Sequence, residues 1–358
     1  MISYEYINSM FFIKSFLIVF SLFFASIIFF DLYVRAQRYR GEHTDHFDGK
    51  RFYNYEHKTT TELQPRSLWQ WLISFQWRNK NTWKQRRVIP TKPDSYVSGK
   101  ELKVTFINHA TVLIQTEGIN ILTDPVWAKQ AGPFAFGGLR RYQDPGIQFE
   151  DLPAIDIVLL SHNHYDHFDI PTLKRLITAF KPTIYTHLGN ARYLAKKGIR
   201  GAVDLDWWDS IVFSKDITIE SVPAQHFSAR AITDRNVTLW GGFVIKTSQG
   251  DIYYAGDTGY GPWVKKVKER YPEGFRLGIL PIGAYKPEWF MKPVHISPDE
   301  AWRIKDELRI ANALAIHFGT FKLASDQQDE PIERMKQLQK ERNDTSFYVC
   351  ANGQSLGF

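Results

Sequence analysis

This sequence predicts an α+β chain in which two sheets are covered by outer helices, behind one N-terminal transmembrane helix. Three observations predict it. Residues 16–30 form an uncharged apolar run, and from Leu102 to the C-terminus short apolar runs alternate with helical stretches. The 358 residues are also 44% hydrophobic and 15% aromatic, enough for a sizeable core, which excludes disorder, collagen and a pure coiled coil. The single cysteine, Cys350, excludes an internal disulfide and every cysteine-rich zinc site, and reads as C-terminal core.

Residues 1–40 comprise the span and its flanks. FFIKSFLIVFSLFFASIIFFDLYV, from Phe11 to Val34, supplies the ~20 apolar residues that a bilayer-crossing helix needs. Lys14 is placed to snorkel to the headgroups and Asp31 to lie at the opposite interface. A cleaved secretory signal is the competing reading, but Lys14 is the one basic residue ahead of the apolar core and no small-x-small cleavage site follows. Arg35, Arg38, Arg40, Lys50 and Arg51 come next, a basic excess that by the positive-inside rule puts the rest of the chain in the cytoplasm.

Residues 41–100 read as a polar, aromatic-basic tether interrupted by Pro65, Pro90 and Pro93. Its stretch SLWQWLISFQWRNKNTWKQRR sets Trp69, Trp71, Trp77 and Trp83 among Arg78, Lys80, Lys84, Arg86 and Arg87. That composition suits an anionic membrane surface and, equally, a helix packed on the domain that follows.

Residues 101–358 form that domain. LKVTFINHATVLIQTEGINILTD reads as successive strands around a Glu117-Gly118 turn, and IDIVLLS as a fully buried strand. DIPTLKRLITAF starts a helix with Asp169 as N-cap and Pro171 in the first turn. Strands follow at TIYTH, ITIESV, LWGGFVIKT and DIYYAG, with helices at WVKKVKERY, SPDEAWRIKDEL and PIERMKQLQK.

Directly after the buried strand comes SHNHYDHFD, with His162, His164, Asp166 and His167 within six positions. Imidazole and carboxylate are the ligands zinc accepts where thiolate is lacking, and a strand-to-loop transition lets alternate side chains diverge toward two ions. The spacing H-x-H-x-D-H therefore predicts a metal site. PAQHF with His226, AGDTG with Asp257 and AIHFGT with His317 each come after a further predicted strand.

With these pieces in this order, the chain resembles the metallo-β-lactamase superfamily. The resemblance implies a four-layer αββα sandwich carrying two zinc ions at one sheet edge. It assigns His162, His164 and His226 to one ion, Asp166, His167 and His317 to the other, and Asp257 as the bridge. LDWWD, PAQHFSAR, TLWGGF, AGDTGY, PIGAYKPEWFMKPVHISPDEA and HFGTFKLA narrow the likeness to the N-acylphosphatidylethanolamine-hydrolysing phospholipase D family. That family cleaves a phosphodiester bond in a membrane lipid, releasing an N-acylethanolamine and phosphatidic acid. The implied step is attack of a metal-bridging hydroxide on phosphorus, with Asp166 orienting the nucleophile. His295, in PVHISPDEA, resembles a histidine of the phospholipase family and is the candidate for orienting substrate or protonating the leaving group.

Other histidines carry less. His109 reads as structural or as a partner of Asp124 or the ligands, His187 as structural, and His43, His46 and His57 lie in the tether. Gly256, Gly259, Gly261 and Gly283 serve tight turns near the cleft, and neither a nucleotide-binding glycine fingerprint nor a Gly-x-Ser-x-Gly elbow occurs.

Lysine plus arginine (45) less aspartate plus glutamate (38) leaves +7, a modest excess that favours an anionic partner. The expected partners are a membrane phospholipid substrate and the lipid bilayer, with no nucleic acid, and the expected location is single-pass in a membrane. Two other readings stand beside this one. The chain is another hydrolase of the same fold, a lactonase or a phosphodiesterase for small or nucleic-acid substrates, or it is a membrane-tethered metal-binding protein without catalysis.

Overall fold

The N-terminal apolar run folds as one long helix, α1 (Tyr4–Val34). A computed structural model describes residues 4–55, 83–134 and 137–358 of the chain, with side chains from Phe12 onward. The segment Phe12–Val34 has a mean hydropathy of 2.4 and is 11% buried, long and apolar enough to cross a membrane.

The C-terminal end of α1 is clasped to the domain. Asp31, expected at an interface, is 7% exposed, and its carboxylate accepts hydrogen bonds from the backbone N–H groups of Ile232 and Thr233 and from the Thr233 hydroxyl. The Tyr193 hydroxyl donates to the carbonyl of Val34, and the Lys196 ammonium to those of Leu32 and Arg35. A last helical turn leaves such carbonyls without intrahelical partners, so the domain completes the helix end.

The described residues of 41–100 also lie on the domain. Phe47 and Phe52 pack with Trp207, Leu239 and Trp240, and His46 Nε2 meets Asp206 at 2.7 Å. Trp83 donates its indole N–H to the Asp326 carbonyl, and Arg86 forms a two-pronged ion pair with Asp329. Trp69, Trp71, Trp77, Arg78 and Lys80, the centre of the aromatic-basic stretch, lie outside the described residues, as does His57.

The strands are β1 (Leu102–Asn108), β2 (Thr111–Thr116), β3 (Ile119–Thr123), β4 (Gln130–Ala131), β5 (Leu139–Arg140), β6 (Ile157–Leu160), β7 (Thr183–His187) and β8 (Val203–Leu205). They continue as β9 (Ser210–Val212), β10 (Thr218–Val222), β11 (Gly242–Lys246), β12 (Ile252–Tyr254), β13 (Phe275–Pro281), β14 (Ile310–Ile316), β15 (Phe347–Tyr348) and β16 (Ser355–Gly357). One seven-stranded sheet has the order β16-β1-β2-β3-β6-β7-β8 and the other β15-β14-β13-β12-β11-β10-β9, while β4 and β5 form a small ribbon.

Both faces of each sheet are covered. In β6, Ile157 and Leu159 join the core between the sheets, and Val158 and Leu160 the outer core beneath α2 (Ile170–Ala179) and α3 (Asn190–Lys196). Period-2 alternation with apolar partners on either side makes the strand read as a continuous hydrophobic run. The other sheet is covered by α4 (Trp263–Arg270), then, past the short α5 (Glu288–Met291), by α6 (Pro298–Glu307) and α7 (Glu330–Arg342). Trp263, Val267, Trp302 and Met335 of these helices enter the main core, which also takes in Cys350.

Two local expectations are refined. Asp169 stands at the N-cap of α2, but its carboxylate accepts from the Ala128 N–H and the Thr172 hydroxyl rather than from the first free N–H groups of the helix. The structure also adds α3, the short α5, β13 and six strands of two or three residues, β4, β5, β8, β9, β15 and β16, to the expected elements. FRLGILP carries breaker residues, yet it pairs in parallel with both β12 and β14, with Gly278 close against the Ile310 side chain of the neighbouring strand.

Strand direction decides where the chemistry falls. β1 is antiparallel to β2, β2 to β3, and β3 is parallel to β6, so β1, β3 and β6 run the same way. By the same steps β10, β12 and β14 share a direction in the other sheet. The carboxyl ends of these six strands meet at one edge of the sandwich, joined by the His317 N–H donating to the His109 carbonyl at 2.7 Å.

Candidate metal centre

Each predicted ligand lies on a loop that leaves one of those strands. The loop after β6 carries His162, His164, Asp166 and His167, turned back on itself by the Phe168 N–H donating to the His164 carbonyl. His226 comes after β10, Asp257 after β12 and His317 directly after β14. Gly256, with φ +61°, lets the β12 loop approach β6, since a Cβ there would lie 2.6 Å from Ser161 Cβ.

The side chains converge as two groups. His162, His164 and His226 bring one ring nitrogen each within 4.8 Å of one another, and Asp166, His167 and His317 do so together with His109. Asp257 Oδ2 lies between the groups, 3.0 Å from His317 Nε2, 3.1 Å from His167 Nε2, and 3.9 Å from both His162 Nε2 and His226 Nε2. All seven predicted ligands are thus at one place, with His164 the most open. His295 is there too: its Nδ1 is 3.9 Å from Asp257 Oδ2, and with His226 and Asp257 it forms a further potential ligand group. Its backbone N–H donates to Met291, and Ser297, two residues on, caps α6 in a reciprocal pair with Glu300.

The donors fit divalent cations. His167 Nε2, His317 Nε2, His295 Nδ1 and Asp257 Oδ1 are buried without a hydrogen-bond partner, although they face one another, and buried polar atoms are otherwise almost always paired. Burial holds His162, His164, His226 and His295 well below 6.5, the last three at about 3, so these rings are neutral and offer lone pairs. Burial would raise Asp166 and Asp257, but His167 and the other imidazoles around them outweigh it and hold both carboxyls well below the ordinary 3.8. The carboxylates in turn overcome burial at His167 and His317, drawing protons onto them and lifting His317 to about 9. Cations among these carboxylates would take the place of those protons.

Two further residues support the site, both met in the sequence only through the second reading of His109, as a partner of Asp124 or the ligands. Asp124, after β3, accepts from the Ser161 N–H, the Ser161 hydroxyl, His167 Nδ1 at 2.6 Å and the Tyr254 hydroxyl at 2.6 Å. His109, after β1, sets Nε2 2.9 Å from Asp166 Oδ2, the ligand-partner role that was one of its two readings. His109, Asp124 and His317 all hold left-handed backbone, at φ 46°, 31° and 64°, a conformation that non-glycine residues keep only where the surroundings impose it. His187 lies elsewhere, against Ser221 and Phe243, and is structural as expected. Neither His43 nor His46 joins the cluster.

A two-sheet sandwich with histidines and aspartates gathered at its strand ends defines a class of metal-dependent hydrolases. A profile of the beta-lactamase superfamily domain matches residues 119–318, and the chain belongs to the metallo-β-lactamase superfamily. Within it, the chain resembles the N-acyl-phosphatidylethanolamine-hydrolyzing phospholipase D 1 of Caenorhabditis elegans, with 38% identity over 276 residues that cover 73% of this chain and 77% of that one. It is 36% identical over 230 residues to the N-acyl-phosphatidylethanolamine-hydrolyzing phospholipase D, mitochondrial, of Saccharomyces cerevisiae, covering 62% of this chain and 48% of that one. Among solved structures, the isothiocyanate hydrolase from Delia radicum gut bacteria shares the fold, with a TM-score of 0.59 and 23% identity over 72% of this chain and 98% of that chain.

Proposed function

We propose that the protein is a zinc-dependent phosphodiesterase of membrane phospholipid, of the N-acylphosphatidylethanolamine-hydrolysing phospholipase D type. The 38% identity to a phospholipase of that name over 276 residues carries the substrate class. The apolar helix clasped to the hydrolase domain supports the same reading, since it would hold the domain at a lipid surface. The arginines that follow the helix favour a single span with the domain on the cytoplasmic side.

His162, His164 and His226 would hold one zinc ion, Asp166, His167 and His317 the other, with Asp257 between them. Two such ions acidify a bound water and clamp phosphoryl oxygens at neutral pH. The chain's own residues do the rest. Asp124 fixes the tautomer of His167 by accepting from Nδ1, and His109 holds the carboxylate of Asp166. Asp166 orients the attacking water and accepts its proton. His295, which also lines a surface pocket of about 250 Å³, hydrogen-bonds a phosphoryl oxygen and orients the substrate. Water adds to phosphorus, the bond to the ethanolamine oxygen breaks, and that oxygen leaves with the proton that Asp166 took from the water.

Hydrolysis of N-acylphosphatidylethanolamine in mixed micelles by the zinc-loaded full chain tests this reading, with Asp257→Ala as control and products identified by mass. N-acylethanolamine and phosphatidic acid released by the wild type alone are expected. No turnover by a protein that holds its zinc would overturn the substrate and direct the search to lactones and other phosphodiesters.

A further inference from the structure

A pocket of about 470 Å³ opens where α1 meets the domain. Tyr33 and Val34 of α1 form one wall, and residues 128–134, the start of α2 and the loop between His164 and α2 form others. Neither the seven candidate ligands nor His295 lines it. Lys129, Lys174, Lys197 and Arg230 do line it, against a single carboxylate, Asp169, whose Oδ2 is engaged by Ala128 and Thr172. Among the described residues, none of the four cations has an ion-pair partner.

Arg230 is the centre of this imbalance. It is 8% exposed, its Nη1 donates to the carbonyls of Asn163 and Phe168, and its guanidinium lies 3.9 Å above the Tyr165 ring, yet Nε has no hydrogen-bond partner. Two carbonyls and the ring offset only part of the cost of burying this cation, since the Asp234 carboxylate accepts from the Arg230 backbone N–H and not from its guanidinium. Lys197 responds to the same surroundings: burial first, then Lys196, Arg230 and Lys174, hold its pKa below the ordinary 10.5.

We infer that this pocket binds the phosphate headgroup of an anionic membrane phospholipid, with its acyl chains along the exposed flank of α1. Charge complementarity calls for an anion, and a guanidinium fork suits phosphate oxygens. Depth calls for a lipid: Tyr33 and Val34 end the apolar segment Phe12–Val34, so with α1 spanning a bilayer, as proposed above, the pocket sits at headgroup level. An apolar path completes the site, since the Phe30 and Tyr33 rings lie 5.7 and 6.4 Å from that of Phe134 at the pocket wall. A free phosphate ion meets only the first requirement. The site is separate from the catalytic reading and stands whether or not the metal centre hydrolyses phospholipid.

Binding of dihexanoylphosphatidylglycerol, dihexanoylphosphatidylcholine and inorganic phosphate to the full chain in neutral detergent, followed by native mass spectrometry, tests the site. The anionic lipid is expected to bind more tightly than the zwitterionic one and not to be displaced by an equal concentration of phosphate. Lys129→Gln with Lys174→Gln, both exposed and without an ion pair and therefore safe for folding, is expected to weaken it about 30-fold, from roughly fivefold per lysine. An unchanged melting curve by circular dichroism confirms that the variant is folded. Equal binding of the two lipids, undiminished binding by the double variant, or displacement by phosphate alone would each overturn the inference.

Discussion

Asp124 accepts four hydrogen bonds on one carboxylate, and through His167 Nδ1 it aims His167 Nε2 into the cluster. Asp124→Asn keeps the shape but turns one acceptor into a donor. Metal affinity is expected to fall about 10–100-fold, read by titration against a competing chelator, and unchanged affinity would make Asp124 scaffold only. At His295 the proposed orienting role gives a different signature. His295→Ala is expected to lower kcat about a hundredfold with metal content unchanged, and full turnover at saturating substrate would remove His295 from the reaction. Of the seven candidate ligands that the fold brings together, His162, His164, Asp166 and His167 were legible as a tight motif after a buried strand, whereas His226, Asp257 and His317 joined them through the family resemblance. Asp124 entered only as a partner in one reading of His109, and its actual partners His167, Ser161 and Tyr254 follow only when β3 is known to end where β6 ends; the same strand direction decides between the two readings of His109.

At the scale of elements, the described parts of the stretch between α1 and β1 behave as a strap on the sandwich. His46 is its polar anchor. Burial opposes protonation of His46, but Asp206 at 2.7 Å and Asp45 at 2.6 Å outweigh it and lift its pKa above 6.5. The folded chain therefore holds this proton more firmly than the unfolded chain, and the stabilisation is fully present below pH 6.5 and lost as pH rises through the higher folded value. His46→Gln is expected to melt below the wild type at acid pH and to match it at alkaline pH in paired calorimetric scans. A gap that persists at alkaline pH would assign the effect to packing against Trp207, whose ring lies 4.3 Å from His46. Apolar periodicity revealed most strands, but it could not reveal this strap, whose aromatic residues find partners more than a hundred positions along the chain.

For the whole molecule, the two sheets meet at an edge crowded with ionisable groups, and the cost of that crowding is offset when cations are bound. Removal of metal by a chelator is expected to lower the melting midpoint by about 5 °C or more, given metal about a hundredfold above its Kd and a domain of this size. An unaltered midpoint, with metal loss confirmed by elemental analysis, would show that the cluster holds together on imidazolium–carboxylate pairs alone. The two-sheet architecture was legible from the order of apolar runs, whereas β13 was obscured by Gly278 and Pro281, breaker residues that weaken its strand signal.

The clasp of Asp31 on Ile232 and Thr233 makes α1 a mast instead of a leash. With α1 in a bilayer and a lipid as substrate, both as proposed above, the domain stands at one height and one attitude, and its search for lipid becomes two-dimensional. Encounter is then set by lateral diffusion within a single leaflet, so turnover in vesicles follows the mole fraction of substrate in the surface and is indifferent to the bulk dilution of the vesicles.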